Sequence, residues 1–210
     1  MKKGIFISFE GPDGSGKSTQ VGLLAEHCRR LGYTVRLTRE PGGTPISEKI
    51  RDILLDTGNS EMAGWTEAFL YAASRAQHVR EVIIPAVEAG EVVICDRFMD
   101  SSIAYQGYAR GLGEGVRTIN EIAVQGMMPD LTFFMDLDPA VGKARVYALG
   151  HPDRLEQEAL DFHRRVYEGY RQLSGIYKDR YLTIDAEKSV EEIANEIAGS
   201  FDRYVAGKAD

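Results

Sequence analysis

The feature that most constrains this chain is a glycine-rich pattern, Gly-x4-Gly-Lys-Ser, close to its N-terminus. An apolar run comes just before the pattern, and apolar side chains at helical spacing follow it. Glycines let backbone N–H groups converge on phosphate oxygens, and a helix N-terminus adds positive partial charge. The pattern therefore predicts a strand, a phosphate-binding loop (the P-loop) and a helix. The loop consists of Gly11, Pro12, Asp13, Gly14, Ser15, Gly16, Lys17 and Ser18.

Two side chains of the P-loop have predicted roles in binding a nucleoside triphosphate. Lys17 should reach the β- and γ-phosphates, and the Ser18 hydroxyl should ligate magnesium. Asp96 follows the mostly apolar segment 91–95, where the carboxyl end of a strand opens onto the ligand crevice of a parallel sheet. We expect Asp96 to hold the same ion directly or through water. The alternative is that Asp96 only caps the next segment.

The rest of the chain alternates strand and helix patterns. Strands are predicted at 4–10, 33–38, 91–95, 131–137 and 181–184. Helices are predicted at 17–31, from Thr44 or Ser47 to about Leu55, and at 66–89, with further helical patterns later. This order predicts a three-layer α/β fold with a five-stranded parallel sheet flanked by helices. Because no linker or repeat divides the chain, we expect one domain over residues 1–210.

Composition excludes several classes of protein. The 25 basic and 32 acidic side chains give a net charge of −7, which argues against a nucleic-acid partner. The two cysteines, Cys28 and Cys95, have no companions at metal-ligand spacing and are expected in the core. No stretch has the pattern of a signal peptide or a membrane span. We therefore expect a cytoplasmic protein without a membrane partner.

The arginines in the loops indicate what receives the phosphate. A chain of this size with arginines in its loops is typical of a small-molecule kinase, which must neutralise a second phosphate-bearing substrate and exclude water. Arg97 follows Asp96 and can grip phosphate oxygens in bidentate fashion. Arg39 and Arg51 flank a Pro-Gly-Gly loop and can contribute from the opposite side.

Four blocks of sequence resemble the bacterial thymidylate kinases, a family of P-loop nucleoside monophosphate kinases. The resemblance implies ATP-dependent phosphorylation of thymidylate (dTMP) by direct in-line transfer with Mg²⁺, in a homodimer. It also implies a mobile lid over about residues 143–155, and a donor site that extends from the P-loop to Thr19. The blocks are Phe9 to Thr19, Arg39 to Thr44, Asp96 to Gly107, and Asp153-Arg154-x-Glu156 with the following Asp161-Phe162.

The same resemblance implies how the acceptor is held. Asp13 would contact the 3′-hydroxyl of the sugar. Arg97 would hold the monophosphate, with Arg51 as a second clamp and Glu40 and Pro41 lining the same pocket. The remaining side chains of the base and sugar pocket would be Ser101, Ser102, Tyr105 and Gln106.

For the base, the family has an aromatic ring and an arginine one helical turn apart. Tyr71 and Arg75 have this i, i+4 relation, which puts them on one helix face. The ring would stack on thymine and the guanidinium would donate to a thymine carbonyl oxygen. Most relatives have Phe at the position of Tyr71. Phe69 competes for the stacking role, but its spacing to Arg75 predicts a different face.

A final positive charge is needed near the transferring phosphoryl group. Some relatives carry it inside the P-loop beside Gly14, where this chain has Ser15. The resemblance then points to the lid, with Arg145 as the first candidate and Arg154 as the second. Glu156 would anchor the lid, which also contains Tyr147 and His151. Alternatively, Lys143 and Arg145 form only a solvated helix face.

Two other functions remain open from the sequence. One is a kinase for a different nucleoside or nucleoside monophosphate. The other is a nucleotide-dependent switch that turns over without any acceptor. In a switch, Asp13 and the Arg-Glu-Pro-Gly-Gly segment that begins at Arg39 would have no task.

Overall fold

The fold is built on one sheet of five parallel strands, as the sequence predicts. The computed structural model describes residues 4–150 and 152–207. The strands lie in the order β2-β3-β1-β4-β5. Their bounds are Ile5–Glu10 (β1), Val35–Arg39 (β2), Val92–Asp96 (β3), Leu131–Asp136 (β4) and Tyr181–Asp185 (β5).

Helices cover both faces of the sheet. Within the described residues their bounds are Lys17–Arg30 (α1), Pro45–Leu55 (α2), Gly64–His78 (α3), Ile84–Glu88 (α4), Met99–Ser102 (α5), Glu114–Ala123 (α6), Pro139–Leu149 (α7), Leu160–Ile176 (α8) and Val190–Gly207 (α9). Short 3₁₀ and π turns at Thr57–Asn59, Val79–Ile83 and Ile103–Ala109 complete the helical structure of this part of the chain. In the same ranges, no helix is both long enough and apolar enough to cross a bilayer.

Apolar residues on both faces of the central strands explain the three layers. Every residue of β1 is buried, and successive residues point to opposite faces. Phe6 belongs to the core under α8, whereas Ile7 belongs to the core under α1 and α9. Cys95 and Cys28 are buried in these two cores respectively, which confirms that both cysteines are packing residues.

The long helix predicted at 66–89 is interrupted. Helical structure begins at Gly64 and continues to Glu88, but Val79–Ile83 forms a π turn. There the N–H of Ile84 bonds to the carbonyl of Val79, five residues earlier. Pro85 follows directly and has no N–H to continue the α-helical pattern, so the wider turn lies where the regular ladder would be broken.

The parallel arrangement brings all the strand ends to one edge. The chain passes from β1 to β2 on one side and later crosses to β4 on the other side, so a crevice opens at the carboxyl end of β1, which lies between β3 and β4. The P-loop follows β1 there, between the ends of those two strands. Helix α7 covers the first part of the predicted lid to residue 149, and His151 lies outside the described residues.

Candidate functional site

A cleft of about 770 Å³ lies at the carboxyl edge of the sheet. It brings together most of the residues that the sequence singles out for both substrates. Gly11, Pro12 and Ser15 of the P-loop are not among its lining side chains, and neither is Arg154. The predicted site residues that line it are Asp13, Gly14, Gly16, Lys17, Ser18, Thr19, Glu40, Pro41, Arg51, Tyr71, Arg75, Asp96, Arg97, Ser101, Ser102, Tyr105, Gln106 and Arg145.

The P-loop packs closely against helix α7. Gly14 has a φ of 74°, and a Cβ atom there would collide with the backbone carbonyl of Gly142. A larger residue at Gly14 is excluded both by this contact and by the positive φ. The loop therefore approaches the lid helix as closely as backbone allows, and α1 begins directly after it at Lys17.

The Lys17 ammonium lies inside the P-loop. Its Nζ donates to the carbonyl oxygens of Gly11 at 3.1 Å and Pro12 at 2.7 Å. Burial, and then the nearby charge of Arg97, lowers the pKa of Lys17 to about 8. The carboxylates of Asp13 and Asp96 oppose this shift, and a bound phosphate would add further negative charge and favour the protonated amine.

Ser18 and Asp96 meet across the cleft, although they are far apart in sequence. The Ser18 hydroxyl donates to Asp96 Oδ2 at 2.6 Å. Helix α5 begins after Phe98 without a side-chain cap, so Asp96 does not cap it. Among the described residues, no cluster of three His, Cys, Asp or Glu side chains could hold a metal alone. A hydroxyl and one carboxylate fit Mg²⁺, which takes few protein oxygens and completes its shell with phosphate and water.

Arg97 is held in a fixed position from several sides. Its φ is 69°, a left-handed conformation that non-glycine residues seldom adopt. Its Nη1 donates to the carbonyl of Gly11 at 3.0 Å, to Ser101 Oγ at 3.1 Å and to Tyr170 OH at 3.0 Å. Its Nη2 pairs with Asp13. These contacts hold the guanidinium of Arg97 in one position in the lining of the cleft.

Asp13 connects the P-loop to the acceptor side of the cleft. One carboxylate oxygen pairs with Arg97, and the other accepts from Tyr105 OH at 2.6 Å. Burial alone would raise the pKa of Asp13, but the charges of Arg97 and Lys17 lower it to about 2. Asp13 is therefore an ionised hydrogen-bond acceptor at the boundary of the two halves of the cleft.

Glu10 is a site residue whose role sequence reasoning missed. It is fully buried behind Arg97, accepts from the backbone N–H of Phe98 at 2.8 Å and from Ser101 Oγ at 2.6 Å. Burial, followed by the charge of Asp100, raises the pKa of Glu10 to about 8. In the sequence Glu10 was a charged residue at the end of an apolar strand, within the first block of the resemblance, and neither feature assigned it a role.

Tyr71 and Arg75 line the cleft together from α3, in agreement with their predicted spacing. Tyr71 is largely buried, whereas Phe69 is 55% exposed and is not among the lining residues. The competitor Phe69 therefore lies on another face of the helix. Burial raises the pKa of the Tyr71 hydroxyl, so the ring stays neutral.

The guanidinium of Arg75 is buried and orientated by its neighbours. It donates to Glu40 Oε2 at 2.7 Å, Ser102 Oγ at 3.0 Å and the carbonyl of Phe98 at 3.1 Å, and it also contacts Asn120. An arginine has five N–H hydrogens. These four bonds leave one Nη2 hydrogen without a partner among the described residues.

The Glu40 segment lies against the end of β3. The N–H of Glu40 donates to the carbonyl of Asp96 at 3.0 Å, and its side chain also bonds His78 Nδ1 at 2.9 Å. Arg51 Nη1 donates to the carbonyl of Pro41 at 2.8 Å. The side chain of Glu40 is therefore committed to protein partners, while Pro41 and Arg51 form the rim.

The amide of Gln106 has a defined orientation. Its Nε2 donates to Glu67 Oε1 at 2.9 Å. Its Oε1 is buried without a hydrogen-bond partner in the described parts of the chain. Gln106 and Arg75 both line the cleft, so each brings one unused polar group to the same site, an acceptor on Gln106 and a donor on Arg75.

The two lid arginines differ in position. Arg145 Nη1 donates to the carbonyl of Gly14 in the P-loop at 3.2 Å. Arg154 is 8% exposed and pairs with Glu67 Oε2 at 2.7 Å, and its Nε donates to the carbonyl of Leu54 at 2.8 Å. The structure brings Arg145 to the phosphate loop and does not bring Arg154 there, because a buried ion pair holds Arg154 behind the cleft.

Other lid residues fix the turn that follows α7. Lys143 Nζ donates to the carbonyls of Glu156 at 3.1 Å and Glu158 at 2.6 Å. Glu156 Oε2 accepts from the backbone N–H of Asp153 at 2.8 Å. Lys143 therefore does not belong to a purely solvated helix face, and Glu156 stabilises the turn.

Comparisons with known proteins agree with this geometry. The thymidylate kinase family model matches residues 9–197. A thymidylate kinase of Lactobacillus helveticus is 48% identical over 208 residues, which cover 96% of this chain and 97% of that protein. One of Pelobacter propionicus is 51% identical over 201 residues, covering 92% of each. The crystal structure of thymidylate kinase from Ehrlichia chaffeensis matches 95% of this chain and 100% of that chain, with a TM-score of 0.79 at 30% identity.

Proposed function

The chain belongs to the thymidylate kinase family, and from this premise we propose how its cleft performs the reaction. The function is ATP-dependent phosphorylation of thymidylate to thymidine diphosphate. One observation supports this assignment of roles: P-loop residues, Arg75 and Gln106 all line one cleft. Arg75 has an unused donor there and Gln106 an unused acceptor. If ATP binds with its triphosphate at the P-loop and thymidylate with its base at Arg75 and Gln106, the phosphates of the two substrates would lie next to each other.

Base recognition follows from the two unused groups. The free Nη2 hydrogen of Arg75 would donate to the O4 carbonyl of thymine, and Gln106 Oε1 would accept from N3–H. Cytosine presents the opposite pattern on this edge, with an amino group at position 4 and a lone pair at N3. The ring of Tyr71 would stack on the base. This complementarity favours a 4-oxo pyrimidine.

The phosphate and sugar of thymidylate would bind between the base pocket and the P-loop. Arg97 would hold the acceptor monophosphate, assisted by Arg51 from the rim. Asp13, as an ionised acceptor, would accept a hydrogen bond from the 3′-hydroxyl. Tyr105 and Ser101 hold Asp13 and Arg97 in these positions.

The donor side would hold the triphosphate of ATP along residues 11–19. The backbone N–H groups of the loop and of the first turn of α1 would bind the phosphate oxygens, and Lys17 would contact the β- and γ-phosphates. Ser18 and Asp96 would hold Mg²⁺. When bound, this ion would neutralise charge on the phosphate oxygens.

Arg145 is the proposed catalytic arginine. Its guanidinium already contacts the backbone of Gly14, which borders the expected position of the γ-phosphate. In-line transfer spreads negative charge over the equatorial oxygens, and a positioned arginine stabilises that charge. We do not assign this role to Arg154, since its contacts with Glu67 and Leu54 hold it behind the cleft.

A panel of acceptors tests the proposal. ADP release from Mg-ATP would be measured with dTMP, with 5-methyl-dCMP and without any acceptor. We expect kcat/KM for 5-methyl-dCMP to be at least about tenfold below that for dTMP, because the hydrogen-bonding edge is mismatched. Equal rates with both nucleotides would refute the roles of Arg75 and Gln106. Full turnover without an acceptor would instead support a nucleotide-dependent switch.

We also propose that the chain forms a homodimer through its α2, α3 and α6 surface. Large apolar side chains are exposed on each of these helices, and α3 packs against both of the others. Burial of such a patch against a second copy would remove it from water. The side chains are Ile46, Ile53, Trp65, Phe69 and Ile122.

Light scattering after size exclusion tests the dimer. The wild type is expected at about twice the chain mass of 23.3 kDa. Phe69→Asp should shift the mass toward the monomer, because it introduces a charge into the apolar patch. Ile176→Asp is the matched control, since Ile176 on α8 is equally exposed, at 55%. A wild-type mass of one chain would contradict the proposal.

We further propose that residues 1–210 act as one kinase domain in the cytoplasm. A single sheet carrying both halves of the cleft supports one domain. The net charge of −7 supports small-molecule partners and not nucleic acid.

A further inference from the structure

Glu67 is a buried carboxylate that none of the roles above uses. It lies on α3 with 0% exposure and receives hydrogen bonds from three side chains. Oε1 accepts from Gln106 Nε2 at 2.9 Å and from Arg110 Nε at 3.3 Å. Oε2 accepts from Arg110 Nη2 at 3.1 Å and from Arg154 Nη1 at 2.7 Å. Two guanidinium groups thus surround one carboxylate directly behind the base pocket.

These neighbours keep Glu67 ionised. Burial would raise its pKa, but hydrogen bonds from Arg110 and Gln106 and the charge of Arg110 lower it overall. An ionised carboxylate can only accept hydrogen bonds. Gln106 must therefore turn its NH₂ group toward Glu67, and its carbonyl oxygen then takes the opposite position.

The orientation of this amide decides which base edge is complementary. Gln106 lines the cleft, and its Oε1 is buried without a partner among the described residues. With Oε1 toward the ligand, the site accepts a hydrogen bond, as thymine N3–H requires. With the amide reversed, the site would donate, as the N3 lone pair of cytosine requires.

We propose that Glu67 is a specificity-determining positioning residue, which fixes the amide of Gln106 as an acceptor and so selects 4-oxo over 4-amino pyrimidines. The inference rests on the proposed function, because it requires Gln106 to contact the base. Glu67 itself does not contact substrate. Its effect is transmitted through one hydrogen bond.

Glu67→Gln is the direct test. The new amide can donate as well as accept, so Gln106 can turn either way. The ratio of kcat/KM for dTMP to that for 5-methyl-dCMP is measured, since these two nucleotides differ only on the N3 and C4 edge. We expect the ratio to fall about tenfold or more in E67Q, partly through gained activity on 5-methyl-dCMP.

Arg110→Gln is the matched control. It removes one guanidinium from the same carboxylate, while Arg154 still pairs with Glu67 and Gln106 still donates to it. We expect R110Q to lower the melting temperature and to leave the selectivity ratio within about twofold of wild type. A loss of selectivity in R110Q as large as in E67Q would mean that general loosening of the cluster is responsible, and it would overturn the inference.

The exchange variant E67Q/Q106E keeps the charge of the cluster, so it is informative even if E67Q alone does not fold. A carboxylate at position 106 can only accept, whichever way it turns. We expect the exchange to retain selectivity for dTMP over 5-methyl-dCMP. A swapped protein that folds and prefers neither nucleotide would count against the inference.

Gln106→Ala separates the two levels of the argument. If Q106A loses selectivity and E67Q keeps it, the contact between Gln106 and the base stands and the role of Glu67 is wrong. If Q106A keeps full selectivity, Gln106 does not read the base, and that part of the proposed function fails together with the inference. Loss of selectivity in both variants, with retention in R110Q, supports both.

Discussion

Asp13 of the P-loop and Arg97 of the segment after β3 form an ion pair across the floor of the cleft. The loop that holds the donor phosphates is thereby tied to the arginine proposed for the acceptor phosphate. Because Asp13 also accepts from Tyr105, it holds a fixed position between the two substrates. The P-loop consequently contributes to both halves of the site.

Asp13→Asn should impair thymidylate more than ATP. The amide cannot balance the charge of Arg97, and it offers a weaker acceptor to the 3′-hydroxyl. We expect kcat/KM for dTMP to fall roughly 100-fold, with the KM for ATP nearly unchanged. The wild type should also reject 3′-deoxythymidylate, whereas D13N should treat the two acceptors more equally. Asp161→Asn, in an exposed pair with Arg164, is the control. If D13N rejects 3′-deoxythymidylate as strongly as the wild type does, Asp13 does not bind the 3′-hydroxyl.

ATP binding should take up a proton near pH 8. Burial and the charge of Arg97 lower the pKa of Lys17 from 10.5 to about 8 in the free protein, and a bound triphosphate restores the charged form. The affinity for ATP should therefore weaken as the pH rises through about 8, because a growing fraction of the molecules must then take up a proton at Lys17 in order to bind. Calorimetry in buffers of different ionisation enthalpy measures this proton. Lys17→Met should lose both the proton uptake and most of the affinity; uptake that persists in this variant would assign it to another group.

Much of the fold and part of the site were predictable because they depend on local pattern. The apolar run, glycines and helical spacing around Lys17 specify strand, loop and helix without reference to the rest of the chain. The approach of Ser18 to Asp96 followed from the rule that parallel strands end at one edge. The prediction of one long helix at 66–89 was wrong in detail. Pro85 has no N–H for the regular hydrogen-bond pattern, and the local sequence does not show what form the preceding turn then takes.

The buried carboxylates were not predictable in the same way. Glu10 at the end of β1 and Glu67 on α3 are each surrounded by donors that come from distant parts of the chain, and a glutamate ordinarily indicates an exposed position. The same limit applies to the lid. Arg145 and Arg154 differ because a single turn directs one toward Gly14 and the other toward Glu67, and spacing alone does not fix that turn.

Stability should fall as the pH rises above the ordinary range of a glutamate. Burial and the charge of Asp100 raise the pKa of Glu10 from 4.5 to about 8 in the folded protein. Between these values the folded state binds more protons at Glu10 than the unfolded state, so the free energy of unfolding decreases with pH. Glu10→Gln should flatten this slope, by up to about 1.4 kcal/mol per pH unit. Denaturant unfolding at several pH values measures it, with exposed Glu121→Gln as control. Identical slopes in wild type and E10Q would contradict the assignment.

The two lid arginines should separate catalysis from stability. Arg145→Ala removes a guanidinium that borders the P-loop, and we expect kcat to fall about 100-fold with both KM values changed little, as for a group that acts in the transition state. Arg154→Ala removes a partner of buried Glu67, so it should lower the free energy of unfolding by about 3 kcal/mol. Its kcat, measured well below its melting temperature, should fall less than that of R145A. The reverse order of the two kcat effects would transfer the catalytic role to Arg154, and it would require the lid to rearrange when both substrates bind.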